Sequence, residues 1–348
     1  MLRKSIFFGL TLGLSVAAFG CGGSDDDNNA QPDPSDLPCD CGQPPEDPEA
    51  GPGDGEGVVL AINKLFLGDT DRNGNPDPNA WKSYGYNLDN FKSTAGSKNL
   101  CKPRAGAQAS VHNDGDDGID NAFGKGILQA ITLIEPNPTA RVNDEITDGT
   151  FTLMIKLDDL GTADNYSGIN ASLYAGGNLG DAPKWDGTDE WPVIYELLEN
   201  GDVNKPKIVF TDSYVADRTW VGKADSLEVN LAIQGATLSL TINHAIITMD
   251  LDSDNGGAKN GTIAGILEVD ALIETITTMA PKIAGCDFNI ADYQSILDQL
   301  AQAADILSDG TQDPNQTCDG ISIGLGFEAK PVQLGEVTEP SEGGDDEC

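Results

Sequence analysis

The sequence predicts a mainly β fold with packed helices (α+β), an antiparallel β-sandwich or a barrel-like arrangement. Three observations predict it. Apolar residues recur at a period of two through several runs, the pattern of strands with one buried face. Forty-one glycines and nineteen prolines accompany only 6% aromatics, a composition of many turns and short strands. Three other stretches repeat at the helical period and end at a proline or glycine.

Residues 58–67 are the first strand candidate. Phe151, Leu153, Ile155 and Leu157 share one face of a second, and residues 207–210 belong to a third. Leu227, Val229, Leu231 and Ile233 alternate in the same way. Gly235-Ala236 occupies the place of a tight hairpin turn, and Leu238, Leu240 and Ile242 then resume the alternation. His244 continues that apolar face, so it is expected as a core histidine hydrogen-bonded to a neighbour. Near the end, Ile321, Ile323, Leu325 and Phe327 alternate with Gly320, Ser322, Gly324 and Gly326. One face of that strand is apolar and the other nearly bare, which calls for a second backbone layer close against it.

The helical stripes are Phe123, Ile127, Leu128, Ile131 and Ile134, ended by Pro136; Val269, Leu272, Ile273, Ile276 and Met279, stopped by Pro281; and Tyr293, Ile296, Leu297, Leu300, Ala304 and Leu307, closed by Gly310. No repeat with a period of about 20–50 residues is present, which excludes a solenoid or propeller.

The amino terminus carries an address. Arg3 and Lys4 precede an apolar run from Ile6 to Phe19 that is too short to span a bilayer. The run ends Ala17-Ala18-Phe19-Gly20-Cys21, small residues leading into a cysteine. This resembles the lipobox of bacterial lipoproteins, although Ala18 stands where leucine is commonest. The resemblance implies a signal peptide over residues 1–20, lipidation of Cys21 and insertion of its acyl chains in the lipid bilayer. Because Gly22 and not aspartate follows, it implies the outer membrane. No other stretch reaches about 18 consecutive apolar residues, so no further membrane span is expected. Residues 22–57 contain no lysine or arginine and are rich in Gly, Pro and acids, so residues 21–57 are expected to form an extended acidic tether. Residues 58–335 form the folded domain and residues 336–348 an acidic tail.

Apart from Cys21, six cysteines remain: Cys39, Cys41, Cys101, Cys286, Cys318 and Cys348. An even count in an exported chain favours three disulfides. Cys286 and Cys318 bracket a helical segment and are the first expected pair. Cys39 and Cys41 are expected to bond different cysteines, with Cys101 and Cys348 the remaining partners. Thiolate metal ligation has little support, since no C-x-x-C occurs and only His112 and His244 could assist.

With 57 Asp and Glu against 20 Lys and Arg, the net charge is −37. This excludes a general nucleic-acid binder and adsorption to anionic lipid through a basic face. An acidic, lysine-poor surface also stays hydrated in salty media. Three loops concentrate oxygen ligands. In residues 68–77, Asp69, Asp71 and Asn73 occupy alternate positions, Gly74 follows and Asp77 comes ninth. That resembles the first half of an EF-hand or dockerin Ca²⁺ loop, but Ala80 stands where the bidentate glutamate would be. Residues 112–121, with Asp114, Asp116, Asp117 and Asp120, resemble the aspartate-rich calcium repeats of extracellular proteins, shortened by one residue. Asp120 can equally cap the helix that follows. Asp250, Asp252 and Asp254 lie in a third loop, which also reads as a solvated hairpin tip. Calcium is thus the expected cofactor.

Catalytic motifs fare poorly. Gly320-Ile321-Ser322-Ile323-Gly324 spells G-x-S-x-G, but a nucleophile elbow needs a sharp turn where alternation here runs straight through, and no histidine follows His244. Two carboxylates suffice for glycoside hydrolysis, and among dozens no pair can be singled out. Trp185 and Trp191, with Trp220, could form an aromatic ligand platform for a glycan. The sequence therefore points to a non-catalytic binding or structural component of the cell envelope, facing a glycan or envelope protein; the alternative is a secreted carbohydrate-active hydrolase or carbohydrate-binding module.

Overall fold

The computed structural model describes residues 33–132, 136–233, 236–284 and 294–339. The export segment with Cys21, the start of the tether, Ile134, Gly235, Cys286, Tyr293 and Cys348 lie outside the described residues.

The strands are β1 (Val58–Phe66), β2 (Thr152–Leu157), β3 (Tyr166–Gly176), β4 (Glu190–Val193), β5 (Leu198–Glu199), β6 (Asp202–Pro206), β7 (Ile208–Ala216), β8 (Thr219–Ile233), β9 (Ala236–Leu251), β10 (Ala258–Glu268), β11 (Gly320–Pro331) and β12 (Gln333–Val337). The sheet runs β3-β2-β1-β11-β10-β9-β8-β7, and β7 pairs again with β3. Tyr166 faces Val215 and Leu173 faces Ile208 across that last seam. Every pairing around this ring is antiparallel, so the structure is a closed eight-stranded barrel and the sandwich alternative is set aside. Closure removes the exposed edges that a sandwich leaves. A barrel of eight strands is just wide enough for side chains to fill. Here Leu60, Ile155, Leu173, Phe210, Ile247, Ile263 and Phe327 join one buried cluster from strands all round the ring. On the outside, β4 pairs with the end of β3 at Val193 and Gly176 and with β12 in parallel. Trp191 and Val193 there pack on Ala61, Met154 and Tyr174.

The expected strands form, with one local inversion. His244 is exposed, not buried, and has φ +50°. Ser226 pairs with Asn243 and Ala224 with Ala245, while on the other side the β9–β10 register slips between Ala264 and Ile266. The extra residue is a bulge. It flips the phase of β9, so that Ala245, Ile247 and Met249 carry the inner face beyond it.

The helices are fewer and shorter than a packed layer requires: α1 (Leu128–Thr132), α2 (Pro138–Thr147), α3 (Val269–Ala284) and α4 (Gln294–Gln302). A π-helical turn, Phe123–Ile127, leads into α1. The helix α2 was not anticipated; Pro138 opens it at a position that tolerates proline. It docks on β1 through Asn143, whose amide accepts from Leu65 N–H and donates to Leu65 C=O, each at 2.8 Å, as a neighbouring strand would. Pro281 does not stop α3, which continues to Ala284; proline forfeits one hydrogen bond, and a helix held by other contacts can carry that loss. The stripe expected to reach Leu307 ends at Gln302. Ile306 instead pairs with Gly320, so Ala304 and Leu307 are buried from an extended segment.

Residues 33–57 do not form a free tether. Cys39 N–H donates to Asn90 O at 2.7 Å, Ala50 N–H to Ser167 Oγ at 2.8 Å, and Gly55 N–H to Asp159 O at 2.9 Å. Tyr166 donates its hydroxyl to Asp54 at 2.6 Å. Glycines at 53 and 55 make the approach close enough that an added methyl group would overlap Asp159 or Leu160. The disulfides also differ from expectation. Cys101 bonds Cys318, and Cys39 bonds Cys41, each with 5.2 Å between Cα atoms. Cys101 reaches Cys318 because Lys102 bridges Thr317, a contact between segments over 200 residues apart that has no local signature. At the other end, the expected acidic tail begins inside β12. Among the described residues no helix is long and apolar enough to cross a membrane.

Candidate functional site

The three acidic loops have different fates. In the first, Asp71 accepts from Asn73 N–H at 2.8 Å and Asn75 N–H at 2.9 Å. Asp69 accepts from the Thr139 hydroxyl, and Asp77 from Asn79 N–H at 2.9 Å. The carboxylates thus brace the loop's own backbone and hold it against α2, the work of Asx turns. Asn73 is exposed and donates to Asp71. In the third loop, Asp250 accepts from the Thr219 hydroxyl at 2.8 Å and from Asn260 at 2.9 Å, and Asp254 from Gly256 N–H at 3.0 Å. A cation does hold this hairpin, but it is Arg218, which donates to Asp252 O, to Asn255 Oδ1 at 2.6 Å and to Ala163 O at 3.0 Å.

The second loop gathers carboxyls. Asp116 and Asp117 point outward, with Asp117 ion-paired to Lys92 at 3.6 Å. Asp114 and Asp120 turn inward and lie close enough that each carboxyl raises the other's pKa. Asp120 also accepts from Leu88 N–H at 2.7 Å, and Asp114 from Ser93 N–H. Beside them lie two acids that no local pattern announces. Asp89 accepts from Phe91 N–H and from Gln312, each at 2.8 Å. Asp305 accepts from Ser322 N–H at 2.9 Å and from the Ser322 hydroxyl at 2.6 Å. His112 is buried with Nδ1 at 3.0 Å from Asp305 O, so it joins this network and not a catalytic triad.

Burial dominates the electrostatics. Desolvation, reinforced by Asp89, pushes Asp114 up to about 9. Desolvation and then Asp89 and Asp114 raise Asp120 well above its usual range. Asp305 rises to about 7 through desolvation, opposed by its bonds to Ser322. Burial also holds His112 below its ordinary value, which keeps the ring neutral. Among the described residues no ion pair reaches these four acids. Lys125 is attracted to Asp305 and Asp114, but its ammonium donates to the carbonyls of Ser110, Val111 and Asn113. Among the described residues no three His, Cys, Asp or Glu side chains gather round a point that could hold a metal.

Ser322 is fully buried in β11 and accepts from Ala122 N–H at 2.8 Å, a role in packing and not in attack. The bare face of β11 is covered as expected: a methyl group on Gly324 would overlap the Tyr84 carbonyl, and one on Gly326 the Tyr84 ring. Arg72 caps that ring at 4.9 Å and donates to Gly261 O at 3.0 Å.

The tryptophans do not form one platform. Trp191 and Trp220 are fully buried, Trp220 edge-on to Phe210 at 5.5 Å with its N–H donated to Ser213. Apolar burial claims both, so neither can stack on a ligand. Trp185 alone is partly exposed, stacked on Trp191 with centroids 5.8 Å apart. No protein-family model, curated protein or solved structure matches the chain.

Proposed function

We propose that the protein is a lipid-anchored, non-catalytic component of the outer membrane, held through Cys21, whose barrel is a rigid body for binding. The observation that carries the non-catalytic part is the placement of its gathered acids. Hydrolysis by paired carboxyls needs them to face a substrate across an open cleft. Asp89, Asp120 and Asp305 are buried and Asp114 is partly buried beside them, and each is committed to backbone amides or to another side chain. Asp89, Asp114 and Asp120 brace residues 88–93, and Asp305 holds Ser322 of β11, which accepts from Ala122 N–H. The anchor rests on the lipobox-like run before Cys21.

Palmitate labelling and membrane fractionation test the anchor. The native protein should take up label and travel with outer membranes, and Cys21→Ser should do neither. An unmodified mature amino terminus in the native protein would overturn the proposal.

A further inference from the structure

The two disulfides stand in opposite settings. Cys101 and Cys318 are 2% and 0% exposed and close a span of 217 residues. Cys39 and Cys41 are only half-buried, with the exposed Asp40 between them, and close a span of two. In the chain-entropy account a disulfide stabilises more the longer the chain it restrains, so Cys39–Cys41 adds little to the fold. Nor is it needed to hold its segment in place. Cys39 N–H donates to Asn90 O at 2.7 Å and Asn87 N–H to Gly42 O at 2.8 Å, one on each side of the pair. Gln43 donates to Asn87 O at 2.6 Å, Pro38 bridges Phe91, and a methyl group on Gly42 would overlap the Asp117 carbonyl. These contacts fix both cysteines whether or not their sulfurs are bonded. A bond that is partly exposed and structurally dispensable is of the exchangeable kind, not the structural kind.

The surroundings also favour one direction of attack. Asn87 is buried, and its amide donates to Cys41 Sγ at 3.8 Å. A donor there stabilises Cys41 as a departing thiolate, and a stabilised leaving group speeds exchange. Cys39 is therefore the sulfur attacked. The oxygen of the same amide has no partner among the described residues, so half a turn of the amide offers an acceptor to the S–H of reduced Cys41. Asp40 and the net charge of −37 repel an anionic thiol, which selects an uncharged or cationic one.

We propose that Cys39–Cys41 is a thiol–disulfide exchange site, which accepts two electrons from an external dithiol while the fold stays intact. A thiolate of the dithiol attacks Cys39 Sγ and displaces Cys41 as a thiolate. The second thiolate of the dithiol then attacks the dithiol's own sulfur in that mixed disulfide and displaces Cys39. The dithiol leaves as a disulfide, and its two protons end on Cys39 and Cys41. The test exposes the full-length protein in detergent to dithiothreitol, an uncharged dithiol, and follows each cysteine by alkylation and peptide mass spectrometry. Cys39–Cys41 should open at least about a hundredfold faster than Cys101–Cys318, with the circular dichroism unchanged, and hydroxyethyl disulfide should re-form the same pair. In the reduced protein Cys41 should react with iodoacetamide at lower pH than Cys39, and Asn87→Leu should erase that difference. Equal opening rates for the two disulfides, loss of the fold as Cys39–Cys41 opens, the reverse order of labelling, or a folded Asn87→Leu variant that keeps the difference would overturn the proposal. The native protein alone decides the first three if Asn87→Leu does not fold.

Discussion

Asn121 makes five hydrogen-bond contacts from one buried amide, its two N–H groups being shared among three carbonyls. Its nitrogen donates to Trp81 O, Tyr84 O and Gly324 O at 3.0 to 3.1 Å, and its oxygen accepts from Gly124 N–H at 2.9 Å and Gly324 N–H at 3.1 Å. A single side chain therefore ties the Trp81 turn, the π-helical turn and β11 together. Replacing it with alanine leaves several buried backbone groups unbonded, each costing about 1–3 kcal/mol if water cannot reach it. Asn121→Ala should lower unfolding free energy by at least about 3 kcal/mol in urea titration, and a loss below about 1 kcal/mol would show that the network is dispensable. At this scale the sequence was partly legible. The straight alternation through Ser322 correctly predicted a strand residue. Asn121 could not be picked out, because its partners lie up to 203 residues away. His244 was misread because a period of two predicts faces only while the register holds, and a bulge breaks it without any change in residue type.

Among elements, the strands were the most legible part, since each runs long enough for its alternation to repeat. The closing seam between β3 and β7 was not, because pairing partners leave no mark in either strand. The same holds for cysteines: bracketing a helix suggested Cys286 for Cys318, whereas a chain-distant bridge supplied Cys101. Peptide mapping without reduction should recover Cys101 linked to Cys318 and Cys39 linked to Cys41; a Cys286–Cys318 peptide would contradict the fold. The Cys101–Cys318 bond spans 217 residues and ties the segment around Cys101 to the residues just before β11. In the chain-entropy account a loop of that length is worth about 5 kcal/mol. A Cys101→Ser, Cys318→Ser double variant should therefore melt far below the native protein, and reduction should affect the native protein but not the variant to the same extent. Trp185 stood out in the sequence, but its separation from buried Trp191 and Trp220 depends on packing.

For the whole molecule, the buried acids set the response to pH. An unfolded aspartate titrates near 3.8, whereas folded Asp305 titrates near 7 and folded Asp114 near 9. Between those values the folded state holds protons that the unfolded state has released, so stability falls as pH rises. The loss through Asp305 is complete near 7, and the loss through Asp114 continues to about 9. Asp120 moves in the same direction and Lys125 opposes it at Asp305, since its charge favours the carboxylate. His112 acts from the other side: its pKa is depressed, so its contribution is lost as pH falls below its ordinary 6.5. Asp89 is raised by burial as well, so the carboxyls outweigh the one imidazole and stability falls as pH rises from the acidic side, a trend to which the net charge of −37 adds repulsion that also grows with pH. High salt separates the two, because it screens surface charge and leaves enclosed groups largely untouched. In high salt with chelator, melting temperature should still drop between about pH 5 and pH 9, and Asp114→Asn should flatten that drop by removing a group that must otherwise stay protonated. A native profile that is flat or rises over this range, or an Asp114→Asn profile as steep as the native one, would show that the four carboxyls are not gathered and desolvated in this arrangement.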